Sequence, residues 1–382
     1  MILLDEPYAS EPLLTWMEET QHPVRRNTFV EGLAKRFNLN MVDDEETANR
    51  INKGERVYTN SENALAWILE NTDNLSLCEG IETFKDKAAM RKALAPLNPD
   101  LFYKTMSADE LANVDFSQLP VPFVLKPSVG FCSMGVYAIQ NEDDWNSALA
   151  DIAKSAESWK AMYPESVVGT ETYILEGYIT GTEYALDAYF DEQGKAHMLN
   201  VLRHDFMSPE DTSDRMYVTS APLVREMAPL FKSWLDQVNE IIGVRNFPVH
   251  VEVRVADGKV TPIEFNPLRF AGLGGTDVAL YGYGYRTYEA FLDDKPVDFD
   301  AAFTGKDDKV YTMSLLNPPS GITGKETFDY DAFCARFNKV LEMREYDVNR
   351  VGNYGFLFIE TERDNPAELD FLMHTDLVEF LK

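Results

Sequence analysis

Valines at 249, 251, 253 and 255 alternate with His250, Glu252 and Arg254, the two-residue period of a strand that buries one face. Asp257-Gly258 supplies a turn, and a second strand runs from Val260 to Asn266. Register decides which side chains meet. A two-residue loop would set Glu252 opposite Ile263, mixing a carboxylate with core. A three-residue loop closing on Gly258 as a left-handed bulge places His250, Glu252, Arg254, Glu264 and Asn266 on one face, with Val251, Val253, Ile263 and Phe265 on the other. The second arrangement is the expectation. Two carboxylates and an amide oxygen on one face make a hard-oxygen site suited to Mg²⁺, which keeps water and phosphate among its ligands. A solvated hairpin face is the competing reading.

The same patterning organises the remainder of the chain. Ile2–Leu4 and Val57–Thr59 read as strands, with a helix capped by Ser10 through Glu19 and another from Ser61 to Glu70, giving a small α/β unit over residues 1–82. Its first strand runs into Asp5-Glu6-Pro7, so it carries no dinucleotide fingerprint. This unit reads as scaffold and at most a wall of the substrate pocket. Thr83 opens a helix over 82–94 in which Lys85, Lys87, Arg91 and Lys92 form a basic patch. Phe123–Lys126 and Val136–Ile139 read as a hairpin whose loop holds Gly130, Ser133 and Gly135. Glycines there let backbone N–H groups approach phosphate oxygens, and Lys126 adds a point charge. No Walker loop is present, since Gly324-Lys325 is followed by Glu326. A helix over Asp144–Trp159, a strand Tyr173–Glu176 and strands from Glu183 and over Ala196–Leu202 follow, with Arg203-His204-Asp205 at a strand end. Leu230, Trp234, Leu235, Val238, Ile241 and Ile242 form the core stripe of a helix before the valine hairpin. From about 295 an appended α+β unit is expected, with strands Lys309–Leu315 and Gly355–Thr361, helices near Asp331–Leu341 and Ala367–Met373, and no recognisable chemistry.

Composition narrows the partners. The 382 residues carry 35 basic against 64 acidic side chains, a net charge of −29. Such a surface repels nucleic acid and anionic membranes, and a nucleotide would need locally gathered Lys, Arg and metal. Three widely spaced cysteines (Cys78, Cys132 and Cys334) form no CxxC pair or disulfide framework. With neither a signal-like N-terminus nor a membrane-length apolar run, the expected location is cytoplasmic.

A lysine before a glycine-rich hairpin, then Glu176 and Glu183 in an E-x(6)-E pair, then Glu252, Glu264 and Asn266 in E-x(11)-E-x-N, form an ordered set that resembles the ATP-grasp superfamily over about residues 83–290. The resemblance implies mixed α/β and α+β architecture, with two α+β subdomains clasping ATP (83–175 and 176–294), a small N-terminal unit (1–82) and the appended unit (295–382). It implies that Lys87 and Lys126 touch the nucleotide phosphates and that the Gly130–Gly135 loop, with Ser133, covers them. Glu176 and the backbone after it would line the adenine site, Glu183 would hold the ribose hydroxyls, and Glu252, Glu264 and Asn266 would bind one or two Mg²⁺, with Mn²⁺ as an alternative. Arg203 matches the place of a basic residue near the γ-phosphate. Many amine-ligating members have Asn-Pro-Arg; here the order is Asn266-Pro267-Leu268-Arg269, so Arg269 comes one residue late.

The implied function is an ATP-dependent ligase that activates a carboxylate as an acylphosphate and joins it to an amine, releasing ADP and phosphate. Its partners would be small molecules, with a homodimer compatible. A kinase on the same fold, or a nucleotide-binding regulatory protein without turnover, remain the alternatives.

Overall fold

The structure, a computed structural model, describes residues 1–129, 135–162, 172–208, 211, 213–319 and 326–382. Sixteen described strands fall into three sheets. The first is parallel, in order β3-β2-β1-β4, from β1 (Ile2–Leu3), β2 (Val24–Arg25), β3 (Met41–Val42) and β4 (Tyr58–Thr59). The second is antiparallel, in order β5-β8-β6-β7, from β5 (Tyr103–Ser107), β6 (Phe123–Pro127), β7 (Tyr137–Ile139) and β8 (Thr172–Gly177). The third has eight strands in order β13-β12-β9-β10-β11-β14-β16-β15: β9 (Thr182–Phe190), β10 (Ala196–Asp205), β11 (Met216–Thr219), β12 (Phe247–Ala256), β13 (Lys259–Pro267), β14 (Lys309–Leu316), β15 (Val340–Glu345) and β16 (Gly355–Glu362).

The third sheet differs from the expected appended unit. Strand β11 pairs Met216–Thr219 with Tyr311–Ser314 of β14, so the C-terminal strands lengthen the sheet that holds the valine hairpin. They keep a separate core around Phe328, Phe333, Leu357 and Phe380. Where a helix is expected over Asp331–Leu341, a five-residue helix (Tyr330–Cys334) gives way to β15. The expected helix over 82–94 is also two helices, Leu75–Lys85 and Lys87–Leu94. Asp86 breaks them by leaving helical geometry, and its carboxylate caps Ala88 and Ala89. That break aims Lys87 from a helix start. The crossing between the second and third sheets falls at residues 178–181, beyond the expected boundary at 175, because β8 runs on to Gly177.

One face of the third sheet is apolar. Leu186, Val249, Val251, Val253 and Phe265 are buried with Phe231, Trp234 and Leu235 of the helix Ala221–Ile242. Burial of this stripe is what fixes the register, since a one-residue slip would carry the valines to the polar side. The opposite face carries the polar residues of the site.

Candidate active site

The hairpin closes differently from the sequence expectation and reaches the same result. Val255 pairs with Val260 and Ala256 with Lys259, so the loop has two residues, with Asp257 and Gly258 both in the left-handed region (φ 50° and 73°). The correction comes farther along: Val253 pairs with Pro262 but Glu252 with Glu264, leaving Ile263 as an inserted residue. This bulge restores Glu252, Glu264, His250 and Asn266 to one face. The face is less solvent-directed than its alternation implies, since the Glu264 side chain is 20% exposed and Asn266 is buried.

Two glutamates thus stand opposite each other on adjacent strands. Burial raises the Glu252 carboxyl well above its ordinary range, and the charges of Glu264, Asp214 and Glu183 push the same way. Burial would raise Glu264 too, but Lys87, whose Nζ lies 2.8 Å from Glu264 Oε2, holds it below the usual value. Asn266 donates its amide to Glu264 Oε1 at 3.3 Å, which leaves the amide oxygen for a cation. Among the described residues no three acidic, histidine or cysteine side chains gather as a metal cluster. Two facing carboxylates and one amide oxygen nevertheless fit Mg²⁺, whose charge would relieve the repulsion that burial imposes on Glu252.

Arg269 reaches this face despite its late position. Leu268 is fully buried with φ 59°, and its carbonyl accepts the Thr59 N–H of β4 at 2.7 Å. A left-handed residue turns the chain after the strand, and the guanidinium then meets Glu62 Oε1 at 2.8 Å. Glu62 also pairs with Lys85. The N-terminal unit, read as scaffold, therefore supplies a carboxylate to the site. Burial alone would raise the Glu62 carboxyl, but Lys85 and Arg269 outweigh it and bring it down to about 2. A depressed carboxyl stabilises the fold above its unfolded value and loses that contribution as pH falls toward the folded value. The gap from an ordinary 4.5 down to about 2 is worth on the order of 3 kcal/mol. Glu62→Gln is expected to lower the melting temperature at pH 7, with the deficit shrinking as denaturation is followed from pH 4.5 to pH 2.5. A deficit independent of pH would show that the Glu62 charge is not what matters.

Lys126 lies on β6 beside Glu176 of β8. Its Nζ donates to Glu176 Oε2 at 2.9 Å, while Arg91 donates to Glu176 Oε1 at 2.5 Å and to the Pro262 carbonyl at 2.6 Å. The Glu176 side chain is 4% exposed and held below its ordinary pKa, because two cations outweigh the effect of burial. The carboxylate organises Lys126 and Arg91. Two cations share one anion, so the three groups keep a residual positive charge. Gly135 follows in the left-handed region (φ 68°), while Gly130, Ser133 and Cys132 lie outside the described residues.

Glu183 shares the polar face with Glu252. His204 Nδ1 lies 2.8 Å from Oε1, and Arg254 Nε donates to Oε2 at 2.9 Å. Arg203, expected near the γ-phosphate, lies on the other face. It pairs in register with Tyr184, while His204 pairs with Glu183 and Leu202 with Ala185, so strand alternation sends Arg203 to the opposite face. There it makes a two-pronged ion pair with Asp205, at 2.6 and 2.8 Å.

Beyond Arg269 the chain enters a loop with Leu273 and Gly274 both left-handed (φ 52° and 71°). Fully buried Asp187 accepts hydrogen bonds from Ala271 N and Thr276 Oγ1, and His250 lies 2.8 Å from it. Arg344 of β15 reaches the Gly274 carbonyl at 2.7 Å and Asp277 Oδ2 at 2.6 Å. A side chain at 274 would press on Arg344 Nη1 and on Ser10. The C-terminal segment, expected to lack chemistry, pins the loop that follows the hairpin.

Residues 119–277 match the family model of the ATP-grasp domain. The chain has the ATP-grasp fold. Among solved structures it is similar to the L-amino acid ligase from Bacillus licheniformis (TM-score 0.70, 16% identity, covering 100% of this chain and 97% of that one). It is also similar to N5-carboxyaminoimidazole ribonucleotide synthetase from Thermotoga maritima (TM-score 0.64, 15% identity, 100% and 98% covered). A third is carboxyaminoimidazole ribonucleotide synthase from Aspergillus clavatus, complexed with ATP (TM-score 0.63, 12% identity, 99% and 98% covered). No curated protein sequence matches the chain. Among the described residues, no helix is long and apolar enough to cross a membrane.

Sequence reasoning missed Glu62, His204 and Arg344 as members of this assembly, and saw Lys85 and Arg91 only as a basic patch. Five basic residues (Lys85, Lys87, Arg91, Lys126 and Arg269) meeting buried carboxylates in so acidic a chain is the signal that could have found them.

Proposed function

We propose that this protein is an ATP- and Mg²⁺-dependent ligase that activates a carboxylate as an acylphosphate and joins it to an amine, releasing ADP and phosphate. The observation that carries the reading is the meeting of Lys87, Glu264, Glu252, Asn266, Arg269 and Glu62 around one patch of the third sheet, drawn from three separate stretches of chain. Carboxylates are poor electrophiles, and phosphoryl transfer gives one a leaving group with little covalent work for the protein beyond positioning and charge neutralisation. Lys126, with Arg91, offers positive charge to the nucleotide phosphates, and Lys87 offers it beside the metal face. Glu183 reads the ribose. Glu252, Glu264 and Asn266 would hold Mg²⁺, which supplies neutralisation of phosphate charge when bound. Arg269, fixed by Glu62, orients the substrate carboxylate. No nucleophilic side chain is required. The similar structure named as an L-amino acid ligase supports the reading by analogy of fold.

Trapping tests it. With ATP, Mg²⁺, a panel of amino acids and other carboxylic acids, and hydroxylamine in place of the natural amine, the expected products are a hydroxamate and ADP. A stable phosphate ester without hydroxamate would make the protein a kinase. Arg269→Ala is expected to lower hydroxamate yield and raise the KM for the acid while leaving the KM for ATP near its wild-type value.

A further inference from the structure

The carboxylate of Glu183 has room for about four hydrogen-bond donors, two on each oxygen. Among the described residues, two protein nitrogens occupy two of them. His204 Nδ1 sits 2.8 Å from Oε1 and Arg254 Nε sits 2.9 Å from Oε2, one nitrogen at each oxygen. What remains is one acceptor site on each of two oxygens of a single rigidly held carboxylate, and that complements a vicinal diol, whose two hydroxyls donate in parallel. Arg254 is the direct cross-strand neighbour of Glu183, and an ion pair of that kind alone would add little to stability.

Arg254 makes a third contact that such a pair lacks. Its Nη1 donates at 2.6 Å to the carbonyl of Ile179, outside the third sheet, in the crossing that joins β8 to β9. That crossing is pressed onto the same end of β12. Gly181 has φ 114°, and a side chain there would come within 2.3 Å of the Val255 carbonyl. The guanidinium also lies 5.7 Å from the ring of Tyr178 and 6.0 Å from that of Phe206. About a fifth of the Arg254 side chain (22%) is open to solvent, so this apparatus borders an accessible space.

We infer that Arg254 is a specificity-determining positioning residue: it fixes Glu183 so that the two free acceptor sites select a ribose diol over a deoxyribose, and it ties that reader to the crossing between the two sheets. The inference rests on reading the site as a nucleotide site. Arg254 acts through Glu183, so its removal costs hydroxyl discrimination and not merely affinity.

The test is calorimetric binding of Mg·ATP and Mg·2′-deoxy-ATP to the full-length wild type and to Arg254→Met, Arg254→Lys, Glu183→Ala and the Arg254→Met/Glu183→Ala double variant. Loss of an oriented charge-assisted contact is worth about tenfold in affinity. Wild type is expected to prefer ATP. Arg254→Met is expected to lose about tenfold for ATP and much less for the deoxy analogue, bringing the ratio toward one. Arg254→Lys keeps the charge but cannot hold both acceptors in one plane, and is expected to lose the ratio while melting with the wild type. The double variant is expected to show no loss of discrimination beyond Glu183→Ala. A wild-type ratio in either Arg254 variant, or equal losses for both nucleotides, overturns the proposal. If the wild type binds neither nucleotide, the nucleotide reading falls first and this proposal with it.

Discussion

Glu264→Gln is expected to lower turnover on the order of a thousandfold, the equivalent of several kcal/mol of transition-state charge neutralisation, while the protein stays folded. The size follows from the substitution removing one of two facing carboxylates and with it the charge that would hold a divalent ion. The stability expectation follows from opposing terms. Glutamine takes away the Lys87 partner at 2.8 Å, which taken alone would be costly for a mostly buried pair. It also removes the like charge opposite Glu252, and Lys87 keeps the attraction of Glu62 and Glu252. The ligand-free variant is therefore expected to melt within a few degrees of wild type, with the stabilisation conferred by Mg·ATP strongly reduced. Steady-state ADP release and thermal melting with and without Mg·ATP check both halves. Wild-type turnover in the variant would remove Glu264 from any metal role.

Lys126→Ala is expected to weaken Mg·ATP binding by roughly ten- to a hundredfold, the worth of one charge-assisted phosphate contact. The wild-type cluster has two cations on one carboxylate, and a phosphate oxygen is the group that would balance it. Without Lys126 the cluster becomes neutral, because Arg91 still pairs with Glu176. The fold is expected to survive for the same reason, since Glu176 is not left as a lone buried charge. Calorimetry on the folded variant decides the matter. Unchanged affinity would mean that Lys126 serves only to bury Glu176, and the phosphates would have to be sought elsewhere.

Much of the third sheet was readable in advance because its cause is local. The alternation Val249 to Val255 needs only neighbouring residues to declare a buried face, and the paired polar positions then had to share the other. The turn itself was misread, with the same outcome, because a bulge at Ile263 did the work expected of the loop. The face that Arg203 takes was hidden for a related reason: its place at a strand end was legible, but its face depended on the pairing of β10 with β9.

The sequence by itself determined the strand and helix periods, the polar face of the valine hairpin and the order of the charged residues along the chain. It also determined that an anionic ligand would need gathered positive charge, since charge balance is a property of composition. Tertiary structure decided who compensates whom. Glu62 and Arg269 stand 207 positions apart, and Arg91 and Glu176 stand 85 apart, so no local window contains either pair. It decided that a late arginine still arrives, through one left-handed residue at Leu268 anchored to Thr59 of another sheet. And it decided that the C-terminal strands continue the site's own sheet, because β11 offered them an edge. Hydrophobic period is set by each residue's neighbours in sequence, whereas ion pairing and sheet edges are set by which distant surfaces burial brings together.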